Sequence, residues 1–431
     1  METISMEKKV ILGLQHVLAM FGATVLVPFI TGMDPAIALL AAGCGTLLFH
    51  LCSQGKVPVF LGSSFAFIGA IMITLNPDGL DPMALADVAN KSYYLENLAI
   101  VKGGIIAAGI VYVLISLIIR MIGVEAVKKL FPPIVTGPII MVIGLNLSPV
   151  AINMAFYGGD GTRSVFDGKG ALIAAVVVIT MIVVSIFAKG FFKLVPILIA
   201  VIVGYLTAVI LGKYDFTAVM NADLFTLGND YVREKLFVLP KFTAEGVAHI
   251  APIAFVVFIE HIGDITTNGA VVGKNFIEDA GVHRTMLGDG VATIFAGFIG
   301  GPANTTYSEN TGVLAVTKVY DPSVLRVAAV FAIIFSQIGF LAALLQTIPV
   351  AVMGGVSIIL FGMIASVGVR ILINAKLDFA HSRNLLISAV ILVLGIGIGS
   401  TGIPIFGLSF SGLAIAAVAG VIINQILPSE I

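Results

Sequence analysis

Charge is what this sequence has least of. Of its 431 residues, 23 are basic and 24 acidic, 11% in all, where soluble domains carry roughly 25%. With 59% hydrophobic residues and a mean hydropathy of +1.11, a water-soluble fold would have to hide more apolar surface than a chain of this length can bury. The shortage of charge therefore implies a polytopic membrane protein. Nor is there a basic excess, the formal net charge being −1, which argues against a nucleic-acid partner. Cys44 and Cys52 are the only cysteines, eight residues apart in one apolar segment, and so exclude a disulfide framework or a cysteine-based metal site. Tryptophan is absent, which leaves Tyr, Phe, Lys and Arg to form any interfacial belt. A cleavable leader is not expected, because the first apolar run follows Lys8 and Lys9 directly and outlasts a signal peptide.

Long apolar runs are what the chain has in plenty. A spanning helix needs ~20 mostly apolar residues, and such runs lie near 10–30, 35–53, 98–121, 132–155, 171–188, 194–212, 247–270, 286–300, 323–346, 349–370, 384–400 and 409–427. Two further segments, 57–75 and 302–320, are apolar but interrupted by small and polar residues. The expectation is an all-α polytopic protein of fourteen crossings, two of them irregular. With the N-terminus inside, 15 Lys and Arg fall on the cytoplasmic side and 8 outside, summing to the 23 present; the positive-inside rule then puts both termini in the cytoplasm. No Lys or Arg is expected deep in a span, Lys102 being counted among the outer cations. The outer loops, about 76–97, 156–170 and 213–246, are polar caps and not domains.

Short matches recur along the chain. Leu14-Gln15-His16 parallels Ile259-Glu260-His261 at an offset of 245, and Ser63-Ser64-Phe65 parallels Thr305-Thr306-Tyr307 at an offset of 242. More loosely, Pro132 to Gly137 parallels Pro349 to Gly354. Seven spans per half, an odd number, would leave the halves oppositely oriented. Inverted repeats with interrupted segments at matching places point to a secondary transporter and its midplane site.

Four acids lie within spans: Glu260, Asp264, Asp289 and Glu309. An ionised residue at a helix centre costs ~2.5–3.5 kcal/mol even on the lenient scale. Without a basic partner such acids must face water, bind a cation or carry a proton, as a proton-coupled carrier requires. Glu260 and Asp264 are four apart and share one helix face; the plain alternative is a hydrogen-bonded pair that tightens packing. The stretch Asn304 to Gly312 is the least lipid-compatible in any span, and irregular backbone at that depth survives only when buried in protein or lining a cavity. Freed N–H groups there become donors for a ligand's oxygens; beside a carboxylate they make a mixed site suited to a flat amide such as a nucleobase. The alternative is a polar packing seam. His16 and His261 serve either as structural hydrogen-bonding groups or directly. No histidine pair has zinc spacing, and no metal or other cofactor is expected. Asp289, between Gly288 and Gly290, is expected to support the site through backbone contacts. Gly397 to Gly402 fits a dinucleotide fingerprint formally but ends an apolar span, so it is set aside.

These residues resemble the nucleobase–ascorbate transporter family, and within it the bacterial uracil permeases. The family pattern, an acid or Gln, then Asn-x-Gly-x4-Thr and a basic residue, is matched by Glu309-Asn310-Thr311-Gly312 and, four residues on, Thr317-Lys318. Gln15-His16, Leu61 to Phe67 and Glu260-His261 are similar as well, and the likeness runs from about residue 10 to about 425. It implies two inverted repeats of seven segments. A core domain would comprise 10–121 and 247–346, moving against a gate domain of 132–212 and 349–427. Segments 3 and 10 would hold short antiparallel strands. Glu260 and Glu309 would hold the edges of a pyrimidine. The amides of Phe65 and Ser308 would meet a carbonyl oxygen, and the Phe65 ring would pack on the base, with Ser64 and Tyr307 also at the substrate. Asp264, Glu309 and Glu260 would handle the coupling proton; Gln15, His16, His261, Asp289, Asn310 and Thr317 would support the site.

Two positions depart from the family pattern. Asp264 stands where a uracil permease is expected to have histidine, an acid there being common in purine-transporting relatives, and Ser308 stands where glycine is usual. The expected activity is proton-coupled uracil import across the bacterial cytoplasmic membrane, not an enzymatic reaction. A xanthine or other purine carrier, or sodium coupling, is the alternative. The expected partners are the small-molecule substrate, the proton, the lipid bilayer and a second copy of the chain joined through the gate.

Overall fold

The computed structural model describes residues 5–78, 90–123, 125, 129, 131–159, 163–399, 402–405 and 408–428. Residues 79–89 of the loop expected at 76–97, residues 160–162 of the loop expected at 156–170, Lys128, and Ser400-Thr401 of the discarded fingerprint lie outside the described residues.

Helices form along the apolar runs and stop where the sequence supplies caps. α1 (Met6–Thr31) begins at Ser5, whose hydroxyl accepts from the Lys8 amide, and ends at Gly32 with φ of 79°. That left-handed conformation suits glycine. α2 (Pro35–Cys52) begins at Asp34, whose carboxylate accepts from the Ala36 amide at 2.9 Å. There follow α3 (Ile68–Leu75), α4 (Lys91–Ile122), α5 (Pro133–Phe156), α6 (Gly168–Phe187), α7 (Pro196–Ile210), α8 (Asp230–Phe237), α9 (Ala244–Ile250), α10 (Ile253–Val272), α11 (Val282–Ile299), α12 (Ser308–Thr317), α13 (Pro322–Ser336), α14 (Gly339–Gln346), α15 (Val350–Asn374), α16 (Ser382–Ile398) and α17 (Gly412–Ile426). Among the described residues, seven helical stretches are long and apolar enough to cross a bilayer, and five shorter apolar helices accompany them.

Three features differ from the sequence reading. The run at 247–270 is divided at Ala251-Pro252, since proline offers no N–H to continue the ladder. The run at 323–346 is divided at Gln337-Ile338, where the backbone turns to the outer loop instead: Thr226 N donates to Gln337 O at 3.0 Å and Gly339 N to Leu224 O at 3.2 Å. A hairpin of β3 (Ile403–Ile405) and β4 (Leu408–Phe410) precedes α17; no feature of the apolar run announced it.

The two interrupted segments meet. β1 (Leu61–Ser63) pairs antiparallel with β2 (Asn304–Thr306), Gly62 opposite Thr305. The ladder is extended by Ser64 N to Ala303 O at 2.8 Å and Tyr307 N to Phe60 O at 3.0 Å. Side chains satisfy the backbone leading into β1. The Thr46 hydroxyl accepts from Leu61 N, His50 Nε2 bonds Val59 O and Asn268 donates to Pro58 O. Non-helical backbone is thus paired at these groups inside protein, the condition for its survival at membrane depth. Gly62 is required there, because a Cβ would lie 2.3 Å from the Tyr307 ring.

Helix packing divides into two neighbourhoods. α11 packs on α4 and α2, and α13 on α1 and α2, around the strands. Elsewhere α15 lies antiparallel along α5, with Gly137 against Gly368 and Gly354 against Ala155. The two helices that open on the loosely matched Pro-to-Gly stretches therefore face one another.

Candidate functional site

The strand pair sets two half-helices beside α10. After Ser64 the chain enters a short turn at Phe65–Phe67 and then α3; after Tyr307 it enters α12. Neither N-terminus is capped by the side chain of its N-cap residue, Ser64 or Tyr307, and first-turn amides have no partner within their own helix. Glu309 sits in the first turn of α12, where the helix dipole favours negative charge.

Asp264 is joined to this segment. Its Oδ1 accepts from Ser308 Oγ at 2.7 Å and its Oδ2 from Thr306 Oγ1 at 2.9 Å. The two positions that depart from the family pattern therefore touch each other. One turn back on the same helix is Glu260, partly exposed like Asp264 and Glu309. The charges of Asp264 and Glu309 both act on Glu260, and that of Asp264 on Glu309. Phe65, half-buried, meets Phe361 of α15 edge-to-face, ring centroids 6.4 Å apart. An aromatic ring from the strand-paired region thus faces the α5–α15 pair.

His261 is fully buried. Its Nδ1 bonds Asp289 Oδ2 at 2.8 Å and its Nε2 bonds Thr285 Oγ1 at 2.8 Å. Asp289 thus meets His261 through its side chain, where backbone contacts were expected. Thr285, missed on first reading, had a signal: Thr285, Asp289 and Thr293 are spaced by four along α11 and all are buried, a polar stripe on one helix face. Thr293 closes the stripe by bonding the Asn304 backbone.

The remaining candidates act in the frame. Asn310 Nδ2 reaches His16 O at 3.0 Å and His16 Nδ1 at 3.1 Å, tying α12 to α1. The Tyr307 hydroxyl donates to Ser63 O at 2.9 Å across the strand pair. Thr317 bonds Val313 O within α12. Ser64 Oγ, Gln15 Oε1 and Asn310 Oδ1 are buried without a hydrogen-bond partner among the described residues. Such atoms are uncommon in native interiors; the two amide oxygens can only accept a hydrogen bond, whereas the Ser64 hydroxyl can also donate one.

One charge lies where none was foreseen. Lys102, assigned to the outer loops from the sequence, is fully buried within α4. Its Nζ donates to the carbonyls of Lys235, Leu236 and Val238 at 3.1, 3.0 and 2.7 Å, closing the C-terminus of α8, where carbonyls otherwise lack donors. Lys235 in turn pairs with Asp34 at 3.2 Å.

Comparison with known proteins adds to this geometry. The chain matches the family described as the Permease family over residues 7–403. It is 44% identical over 417 residues to the uracil permease of Bacillus subtilis strain 168, covering 96% of this chain and 92% of that protein. With the uracil permease of Bacillus caldolyticus it shares 43% over 425 residues, 97% and 92% of the two chains. Among solved structures, the murine Slc26a9 anion transporter in the inward-facing state superposes with a TM-score of 0.73 at 12% identity, over 99% of this chain and 69% of that one; this likeness concerns the fold alone.

Proposed function

Because this chain belongs to the permease family, that of the nucleobase–ascorbate transporters, and is an integral membrane permease, we propose that it imports uracil together with a proton by alternating access. The observation that carries the proposal is the meeting of two kinds of group at the strand pair: uncapped half-helix amides at Phe65 and Ser308, and the carboxyl groups of Glu260, Asp264 and Glu309. Uracil is a flat ring with amide N–H donors and carbonyl acceptors alternating on its edge. Carboxylates on α10 and α12 take the N–H edges, the helix amides take a carbonyl, and Phe65 stacks on the ring. A proton on the acid cluster lowers its mutual repulsion and lets substrate bind, so loading of the two is linked.

Movement follows from the same division of the molecule. The strand-paired region, residues 10–121 and 247–346, carries the site; residues 132–212 and 349–427 form the gate it moves against, through which two copies pair. Exposed positions run from the site along α10 (Gly263, Thr266, Thr267) and α12 (Ser308, Gly312, Ala315), and along α15 from Gly362 onward. A Cβ added at Gly263, Gly312 or Gly362 would meet nothing within 4 Å. These helices run toward the end holding Lys318 and Lys274, so the path supports an opening to the cytoplasm, with both termini on that side of the cytoplasmic membrane.

The test is labelled uracil uptake into proteoliposomes under an imposed pH gradient, with and without sodium, and with excess xanthine. Proton-driven uptake indifferent to xanthine is expected. Xanthine counterflow without uracil uptake overturns the substrate, and uptake that needs sodium overturns the coupling ion.

A further inference from the structure

At the end of the molecule opposite Lys102 and α8, the last turns of α2 and α4 and the first turn of α11 leave a crevice of about 500 Å³. Ser116, Leu117, Arg120, His283, Arg284 and Leu287 are among its walls. The charges there are of one sign. Arg284 is held by a neutral acceptor, Gln54 Oε1, at 2.8 Å. Among the described residues, no ion pair engages either Arg120 or Arg284. Both guanidinium groups act electrostatically on His283, so their fields converge on the crevice. The walls are fastened together, since Ser116 Oγ on α4 donates to the His283 carbonyl on α11. The cleft therefore exists before anything fills it.

The rim has the opposite character. Leu51 at the end of α2 is 76% exposed, and Leu114, Leu117, Ile118 and Met121 on α4 are 47–83% exposed. An apolar helix face thus runs straight into a pair of unneutralised arginines.

We propose that this crevice binds the phosphate headgroup of an anionic membrane phospholipid, with its acyl chains lying along the exposed face of α4. Charge complementarity selects the headgroup: guanidinium forks match phosphate oxygens in a bidentate geometry, and basic clefts between spanning helices on the cytoplasmic side hold acidic headgroups. The adjoining leucines select the lipid over a free anion, since inorganic phosphate has nothing to lay against them. A bound lipid also braces α4 on α11, the helix whose Asp289 holds His261.

The full chain, purified in detergent, is titrated with phosphatidylglycerol, phosphatidylcholine or inorganic phosphate, and bound lipid is read by native mass spectrometry alongside the thermal midpoint. The wild type is expected to retain phosphatidylglycerol in preference to phosphatidylcholine. Binding should fall about tenfold or more in R120Q/R284Q, given the strength of charged hydrogen bonds. R120K/R284K, which keeps the charge and loses the fork, should fall between. Arg370→Gln, on the exposed end of α15, should leave retention unchanged. Equal retention of phosphatidylglycerol by wild type and R120Q/R284Q overturns the site. Protection by inorganic phosphate equal to that of the lipid overturns the lipid and leaves an anion site.

Discussion

Around β1 and β2 the helices meet through polar side chains, whereas α5 and α15 meet backbone to backbone. In the first region His261 is shared by Asp289 and Thr285, Asp264 by Thr306 and Ser308, and Asn310 is bonded to His16. Each bond joins residues from different segments, and each is directional, so the arrangement has one low-energy geometry. In the second region glycines bring the chains together. A Cβ at Gly144 would lie 2.4 Å from Phe361 O, and one at Gly368 would lie 2.4 Å from Gly137 O. α5 has no ionisable residue, and α15 has only Arg370, at its exposed end. Such an interface is held by close van der Waals packing. The strand-paired region is thus tied by directional bonds between separate segments, and the α5–α15 pair by close packing of small residues.

The comparison can be broken most sharply at Glu260. Glu260→Gln keeps the shape and removes the charge; uracil uptake is expected to fall roughly hundredfold, in line with the loss of a charged hydrogen bond of about 2–3 kcal/mol, while the purified protein stays monodisperse. Undiminished uptake would mean that the strand-paired region does not hold the chemistry. Asp289→Ala comes next, leaving His261 Nδ1 unpaired at a fully buried place. A loss of about 2 kcal/mol is expected, seen as a lower unfolding midpoint in detergent, and an unchanged midpoint would argue that this network is not what stiffens the region. Gly144→Ala strikes the other interface and should cost about 1–2 kcal/mol by overpacking, with equilibrium uracil binding unaltered; weakened binding would show that the two regions are not separate. The smallest effect belongs to Gly263→Ala, beside the site but facing open space. It should raise the midpoint slightly, by about 0.5–1 kcal/mol of helix propensity, and a fall would place an unseen neighbour against it.

Much of the site could be read along the chain, because the relevant signals are local. Intramembrane acids, a polar stretch inside an apolar run and repeated triplets are properties of a few consecutive residues. The Thr285-Asp289-Thr293 stripe was legible in the same way, through its spacing of four. Lys102 was not. Its carbonyl partners are more than 130 residues away, and near the end of an apolar run a lysine in water and a lysine inside protein look the same in sequence. The break at Gln337-Ile338 was equally silent, since it depends on an isolated backbone bridge between Phe225 and Ile338, more than 100 residues apart.

By itself, the sequence determined the solvent and the parts list. Scarce charge and long apolar runs require a bilayer, helical periodicity assigns each polar residue to a face, and the family likeness runs nearly end to end. Only the tertiary structure decided which faces meet. His261 with Asp289 and Asp264 with Ser308 join residues 28 and 44 positions apart. Periodicity gives the direction of a side chain within its own helix, but the neighbour it finds there depends on how separate helices pack, and no local pattern encodes that.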